Sequence, residues 1–292
     1  MPAPPALSDA LIDYAGLFPP AKLPMPEAVR HHAAYLRGPH SSRLGRFVVP
    51  LAWLAEFAAT YALLPVAEQA GWALSGLAAG DSVADAATVA AHNRRHPSAS
   101  IVAVETKAAT PADVPRVGAG WPAGLEVWIE VPSAGDVGSF ITAVKAANCG
   151  AKIRTGGVTP EAFPPAGQVA RFLAACHAIG VVCKATAGLH HPLRGDYRLT
   201  DEPGSLTGPM FGFLNVFLAA TLLHTGGHVS EAEGLLLESN AKSFTITLET
   251  IHWRTHSFSS AQIRAARQSL CRSFGSCSFT EPIQGLQELH WL

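Results

Sequence analysis

Strand-length apolar runs alternate with Ala-rich helical stretches through the first two thirds of the chain. The runs are "RFVVPLA" (46–52), "WALSGLA" (72–78), "SIVAVET" (100–106), "LEVWIEV" (125–131), "CGAKIRT" (149–155) and "VVCKATA" (181–187). Helical stretches at 53–69, 83–95, 134–147 and 160–179 lie between them. The last opens with Thr159-Pro160-Glu161, a cap residue followed by proline at the first helical position. This rhythm means βαβ units and a parallel sheet. Six such runs by residue 187 suit a (β/α)8 barrel, which needs about 250 residues. An open doubly wound sheet is the other architecture compatible with the pattern.

A barrel needs two further strands. "SFTITLE" (243–249) and "SFGSCSF" (273–279) are the candidates, followed by helices at 259–272 and from about Pro282. The expectation is an α/β fold, a single (β/α)8 TIM barrel over residues 1–292. It carries an N-terminal extension (1–45) and a long insertion after strand six (192–240). The extension reads as an ordered loop, "IDYAGLFPPAKLPM", and a helix from about Pro26 to Leu36. The insertion reads as a loop with Arg194, Tyr197 and Arg198, an apolar helix over 210–224 and a helix near 230–238.

Successive side chains in a strand point to opposite faces. In "EVWIEV", Glu126, Trp128 and Glu130 share one face. In "AKIRT", Lys152 and Arg154 share one face, opposite Ala151, Ile153 and Thr155. Val182, Lys184 and Thr186 oppose Cys183, Ala185 and Ala187, and Glu105 and Lys107 share a face with Ala103. The apolar or small faces suit packing beneath helices, so the polar faces point into the barrel. Neighbouring strands lie about 4.8 Å apart, so Glu130, Lys152 and Lys184 at similar heights form one cluster. Buried charges must be paired or change ionisation. Desolvation with a second cation nearby lowers a lysine's pKa, and neutral amine attacks carbonyls to make a Schiff base. The non-catalytic reading of the same residues is a charge-balanced interior, with Glu130–Lys152 and Glu105–Lys184 ion pairs.

"AKIRTGG" (151–157) and "CKATAGLHH" (183–191) resemble the two lysine strands of deoxyribose-phosphate aldolase and related class I aldolases. Those strands read roughly V-K-T-S-T-G and V-K-A-S-G-G-I, in the same order and at nearly the same separation. "RSFGSCSF" (272–279) resembles the last strand of that family, R-F-G-A-S-S-L. The resemblance implies that Lys152 forms the Schiff base and that Lys184 is its cationic neighbour. It also implies that Gly275, Ser276, Cys277 and Ser278 hold a substrate phosphate. Exposed amides before a helix N-terminus are a physical anion site. The family places an acidic residue on an earlier strand as proton relay. Glu130 is nearest here, with Glu126 and Glu105 as alternatives. Arg154 departs from the small polar residue of the family, and its guanidinium suits a carboxylate or phosphate on the substrate. "GLHH" replaces a glycine-rich turn, and "IDYAGLFPPA" has no counterpart in the family. The rest of the chain looks like a bacterial barrel family of its own.

Other residues carry secondary expectations. His190 or His191, after the sixth run, could serve as an acid/base or a metal ligand. Arg194 and Arg198 in "LRGDYR" (193–198) suit a lid that clamps an anion. Asp13 and Tyr14 read as part of a barrel plug or partner contact, and Asn215 as a satisfied core amide. No G-x-S-x-G elbow is present to suggest a serine hydrolase. The formal net charge of −1 gives no electrostatic reason to expect nucleic acid or an anionic membrane. Five cysteines without C-x-x-C spacing read as free thiols in a reducing cytoplasm. The first residues lack the basic and apolar regions of a signal peptide. The apolar run 210–224 is too short to span a bilayer; it is either a homo-oligomer interface or an internal helix.

The sequence therefore points to a cytoplasmic carbon–carbon lyase of the class I aldolase type, or a related imine-forming enzyme. Its substrate is a small anionic carbonyl compound, and no cofactor is required. Two alternatives remain. One is a metal-dependent lyase or isomerase using His190 or His191 with Glu130. The other is a non-catalytic barrel that binds a small anion.

Overall fold

The computed structural model describes residue 7, residues 9–200 and residues 202–292. Residues 1–6 and 8 of the expected N-terminal extension lie outside the described residues. The expected α/β barrel is present. Eight parallel strands close on themselves. They are β1 (Ile12–Tyr14), β2 (Leu44–Pro50), β3 (Trp72–Leu77), β4 (Ala99–Lys107), β5 (Glu126–Glu130), β6 (Gly150–Arg154), β7 (Cys183–Thr186) and, late in the chain, β13 (Cys271–Ser276). β13 pairs in parallel with both β1 and β7, which closes the ring.

Helices α1 (Met25–Arg37), α2 (Leu54–Tyr61), α3 (Ser82–Arg95), α4 (Val114–Gly118), α5 (Val137–Ala146) and α6 (Ala166–Ile179) connect successive strands. Their starts follow local chemistry. Asp81 caps α3 by accepting from the amides of Val83 and Ala84, and Asp136 caps α5 by accepting from Ser139. Gly180 ends α6 at φ 72°, a left-handed conformation that glycine adopts without a Cβ penalty. Thr159-Pro160 opens only a short 3-10 turn, because Pro164-Pro165 interrupts the helix and α6 begins at Ala166.

Two strand positions differ from the sequence reading. "IDYAG" is not a loop but the first barrel strand, three residues long and fully buried. "SFTITLE" does not join the barrel. Its residues Phe244–Ile246 form β10 of an antiparallel sheet with β11 (Thr250–Trp253) and β12 (His256–Ser259). Phe244 and Ile246 are buried and Thr245 is exposed, the alternation of a sheet with one wet face. Because β1 is counted, the long excursion follows the seventh barrel strand. It begins with a hairpin of β8 (Gly195–Arg198) and β9 (Thr207–Met210).

Helices α7 (Phe213–His224) and α8 (Val229–Leu236) come next, then α9 (Ser260–Ser269) before β13 and α10 (Thr280–Glu288) after it. Every residue of α7 from Phe213 to Leu223 is buried, between α6, α8, α9 and the barrel wall. A helix that is apolar all round belongs inside, so 210–224 is an internal helix and not an interface. Among the described residues no helix is long and apolar enough to cross a membrane. All five cysteines are unbridged.

Candidate active site

The barrel interior is filled in levels along its axis. At the N-terminal end, Glu126 accepts from Arg46 and Arg272, each at 2.8 Å. This end is opposite the C-terminal mouth, where barrels of this architecture keep their chemistry. Above it lie the Trp128 ring and Lys184, with the Lys184 Nζ 5.9 Å from the ring centroid. Lys152 and Lys184 are directly paired in register on β6 and β7, as are Glu130 and Lys152 on β5 and β6. The expected cluster therefore exists.

The Glu130–Lys152 and Glu105–Lys184 ion pairs of the non-catalytic reading are both present, and two further features join them. Glu105 stands between the lysines. Its Oε2 accepts from Lys152 Nζ at 2.9 Å, and its Oε1 accepts from Lys184 Nζ at 2.8 Å and from the Ser75 hydroxyl at 2.9 Å. Asp13, on β1, accepts from Lys184 Nζ at 2.6 Å and from the Ser273 hydroxyl at 3.0 Å. The amide of Arg46 fixes the other Asp13 oxygen at 2.8 Å. The only sequence signal for Asp13 was its place between two apolar residues, Ile12 and Tyr14.

Glu130 Oε2 lies 2.9 Å from Lys152 Nζ, yet that buried oxygen has no hydrogen-bond partner among the described residues. The contact is close in distance but misaligned for a hydrogen bond. Lys107, largely exposed at the rim, lies 3.2 Å from the other Glu130 oxygen. Burial alone would raise the Glu105 and Glu130 carboxyls. The lysines more than offset it: Lys152 and Lys184 hold Glu105 well below the usual carboxylate range, and Lys152, Lys107 and Arg154 lower Glu130. Burial would likewise lower Lys184, but Asp13 and Glu105 hold it above the ordinary lysine value.

A cavity of about 250 Å³ opens at the C-terminal end of the strands. Glu105, Glu130, Lys152, Arg154, Gly275, Ser276, Cys277 and His190 all line it. Lys184 does not; it is 1% exposed and sits beneath Lys152. The hairpin contributes Leu199 and Met210 to the cavity, and the segment after β1 contributes Phe18, Pro19 and Pro20. Arg154 is exposed at the rim.

The remaining expected residues divide. The Ser278 hydroxyl accepts from the Glu281 amide at the start of α10, and the Ser276 hydroxyl accepts from the Ser278 amide. Arg194 is not a clamp on this cavity. Its guanidinium lies over the Phe211 ring, 5.1 Å from the centroid, and it lines a separate hollow with Tyr197 and Glu288. Arg198 donates to the Glu202 carbonyl and lines a second hollow beside His190. His191 stacks on Tyr197 with centroids 3.5 Å apart. Among the described residues, no three His, Cys, Asp or Glu side chains are placed to hold a metal ion.

Comparison with protein-family models, with curated proteins and with solved structures gives no match to this chain.

Proposed function

We propose that this barrel is an imine-forming enzyme of the class I aldolase type, which makes or breaks a carbon–carbon bond in a small anionic carbonyl compound. One observation carries the reading. Of the two buried lysines, Lys152 lines the cavity at the C-terminal end of the strands, while its neighbour Lys184 does not. A carbonyl compound bound in that cavity can meet Lys152 but not Lys184. The resemblance of the two lysine strands to the deoxyribose-phosphate aldolase family supports the same assignment.

Repulsion from Lys184 is not the means of freeing the amine, because Glu105 lies between them. Proton transfer to a carboxylate is. Glu130, whose Oε2 lies 2.9 Å from the amine, accepts the proton once substrate in the cavity brings the two groups into line. Lys152 then adds to the carbonyl carbon, and loss of water gives the imine. The protonated imine withdraws electrons from the neighbouring carbon, so the adjacent carbon–carbon bond can break or form without a cofactor. Arg154 at the rim and the backbone of Gly275–Cys277 receive the anionic group.

Borohydride reduction in the presence of small aldehydes and keto acids, with and without phosphate, tests this. The expected result is a reduced adduct mapped by mass spectrometry to Lys152. Labelling of surface lysines alone, with every carbonyl tried, would sink the proposal.

A further inference from the structure

Cys277, His190 and Glu281 lie in line beside the lysine cavity. His190 Nε2 is 4.0 Å from Cys277 Sγ, and His190 Nδ1 is 2.7 Å from Glu281 Oε2. The three come from the C-terminal ends of adjacent strands. His190 follows β7, Cys277 follows β13, and Glu281 lies in the first turn of α10. His190 and Cys277 are buried, and both line the 250 Å³ cavity and a second hollow of about 200 Å³ on its other side. The titratable groups around that hollow are Tyr14, His31, Tyr35, His191, Arg198 and Glu281.

Tyr14 supplies a separate observation. Its side chain lines the second hollow, and its hydroxyl is buried without a hydrogen-bond partner among the described residues. Burial, then Tyr35 and Cys277, hold the phenol well above its ordinary range, so it stays a donor. An orphaned buried hydroxyl is costly unless something accepts from it.

We propose that Cys277, His190 and Glu281, with the Tyr14 hydroxyl, form an acyl-transfer centre that takes an ester or thioester carbonyl. The roles follow from the geometry. His190 holds the thiol proton, leaving a thiolate–imidazolium pair, and Glu281 orients the imidazole. Burial would lower His190, but its contacts with Cys277 and Glu281 raise it to about 10, which keeps the imidazolium. The sulfur adds to the carbonyl carbon, and the oxygen that gains charge accepts from Tyr14. The bond to the leaving alcohol or thiol then breaks, and that group departs with the proton of His190. Water next attacks the S-acyl carbon and gives up its proton to His190. The acid leaves and the thiol is restored. Atoms balance without an oxidant or a metal, and none of these steps uses the Lys152 imine.

The test uses the full chain, with p-nitrophenyl acetate as acyl donor and iodoacetamide as a thiol probe. Wild type should release p-nitrophenolate with an acetyl group trapped on Cys277. Cys277 should alkylate at pH 7, and faster than Cys149. Cys149, whose burial raises it to about 11, is the slow internal reference. His190→Gln should slow acetylation on the order of 100-fold. Glu281 is a positioning residue: Glu281→Gln should slow both alkylation and acetylation of Cys277, and Glu281→Asp should restore them. Tyr14→Phe should slow acetylation by roughly 100-fold but leave alkylation unchanged, because alkylation makes no oxyanion. Alkylation of Cys277 no faster than that of Cys149, no alkylation of it, or acetyl groups found only elsewhere would overturn the proposal without bearing on Lys152.

Discussion

Glu105 joins Lys152 to Lys184 with one carboxylate, using a different oxygen for each lysine, at 2.9 and 2.8 Å. All three side chains are almost fully buried. Glu105→Gln keeps the shape and removes the charge. Two buried ammonium groups would then share a neutral amide. Breaking a buried pair in this way costs about 3–5 kcal/mol. Urea unfolding at pH 7 should show a loss of that size. A loss below about 1 kcal/mol would mean that the two lysines are not both charged in the folded protein.

The same wiring sets a pH profile for stability. Glu105 and Glu130 titrate below their unfolded values. Their stabilisation is complete above about 4.3 and is lost as pH falls through the lowered folded values. Lys184 and His190 are shifted upward. Stabilisation from Lys184 is complete below about 10.4 and is lost above that, through its raised folded value. Stabilisation from His190 is complete below about 6.5, and is lost as pH climbs towards its folded value of about 10. Buried His32, lowered to about 3, loses its stabilisation as pH falls below about 6.5. Urea midpoints measured from pH 3 to 10 should therefore be highest at about 6.5. His190→Gln should flatten the decline on the alkaline side and also soften the acid side, because His190 is the main group that lowers Glu281.

Glu130 and Glu105 both touch Lys152, but they should separate by experiment. Glu130 lines the cavity with one oxygen lacking a hydrogen bond, and Lys107 at the rim shares its charge. Glu130→Gln should slow borohydride trapping at Lys152 by about 10²–10⁴, the usual worth of a general acid/base. Its effect on the urea midpoint should be smaller than that of Glu105→Gln. Equal trapping rates in wild type and Glu130→Gln would remove Glu130 from the proton path.

Much of this architecture was legible because strand alternation is a local property. Lys152 and Lys184 each sit in an apolar run with a clear period, so their shared face could be read directly. Asp13 could not be read so, because a three-residue strand shows no period. "SFTITLE" has the right composition for a strand, but only tertiary pairing decides whether it joins a barrel or a hairpin. Arg194 looked like an anion clamp from its neighbours in sequence, yet the chain turns it onto Phe211. His190, Cys277 and Glu281 were singled out separately or not at all. The contacts between them span 87 and 91 residues, and closure of the barrel alone brings them together.

Asn215 shows the limit of hydropathy most sharply. In a helix built, up to its last residue His224, of Phe, Leu, Val, Ala and Thr, it invites replacement by leucine. Its side chain is nevertheless fully used. Oδ1 accepts from the Arg194 amide at 2.9 Å, and Nδ2 donates to the carbonyls of Leu235 and Glu238 at 2.7 and 2.8 Å. It thereby fastens the start of the excursion to the end of α8. Gly212 is part of the same fastening, since a Cβ there would collide with Asn215 Oδ1 and the Pro192 carbonyl. Asn215→Leu would leave the Arg194 amide and the Glu238 carbonyl without this partner, while the Leu235 carbonyl keeps the Glu238 amide, at a cost of roughly 2–4 kcal/mol. Thermal unfolding should show a lower Tm for Asn215→Leu than for wild type, despite the added apolar area. A Tm equal to or above that of wild type would show that this amide is dispensable.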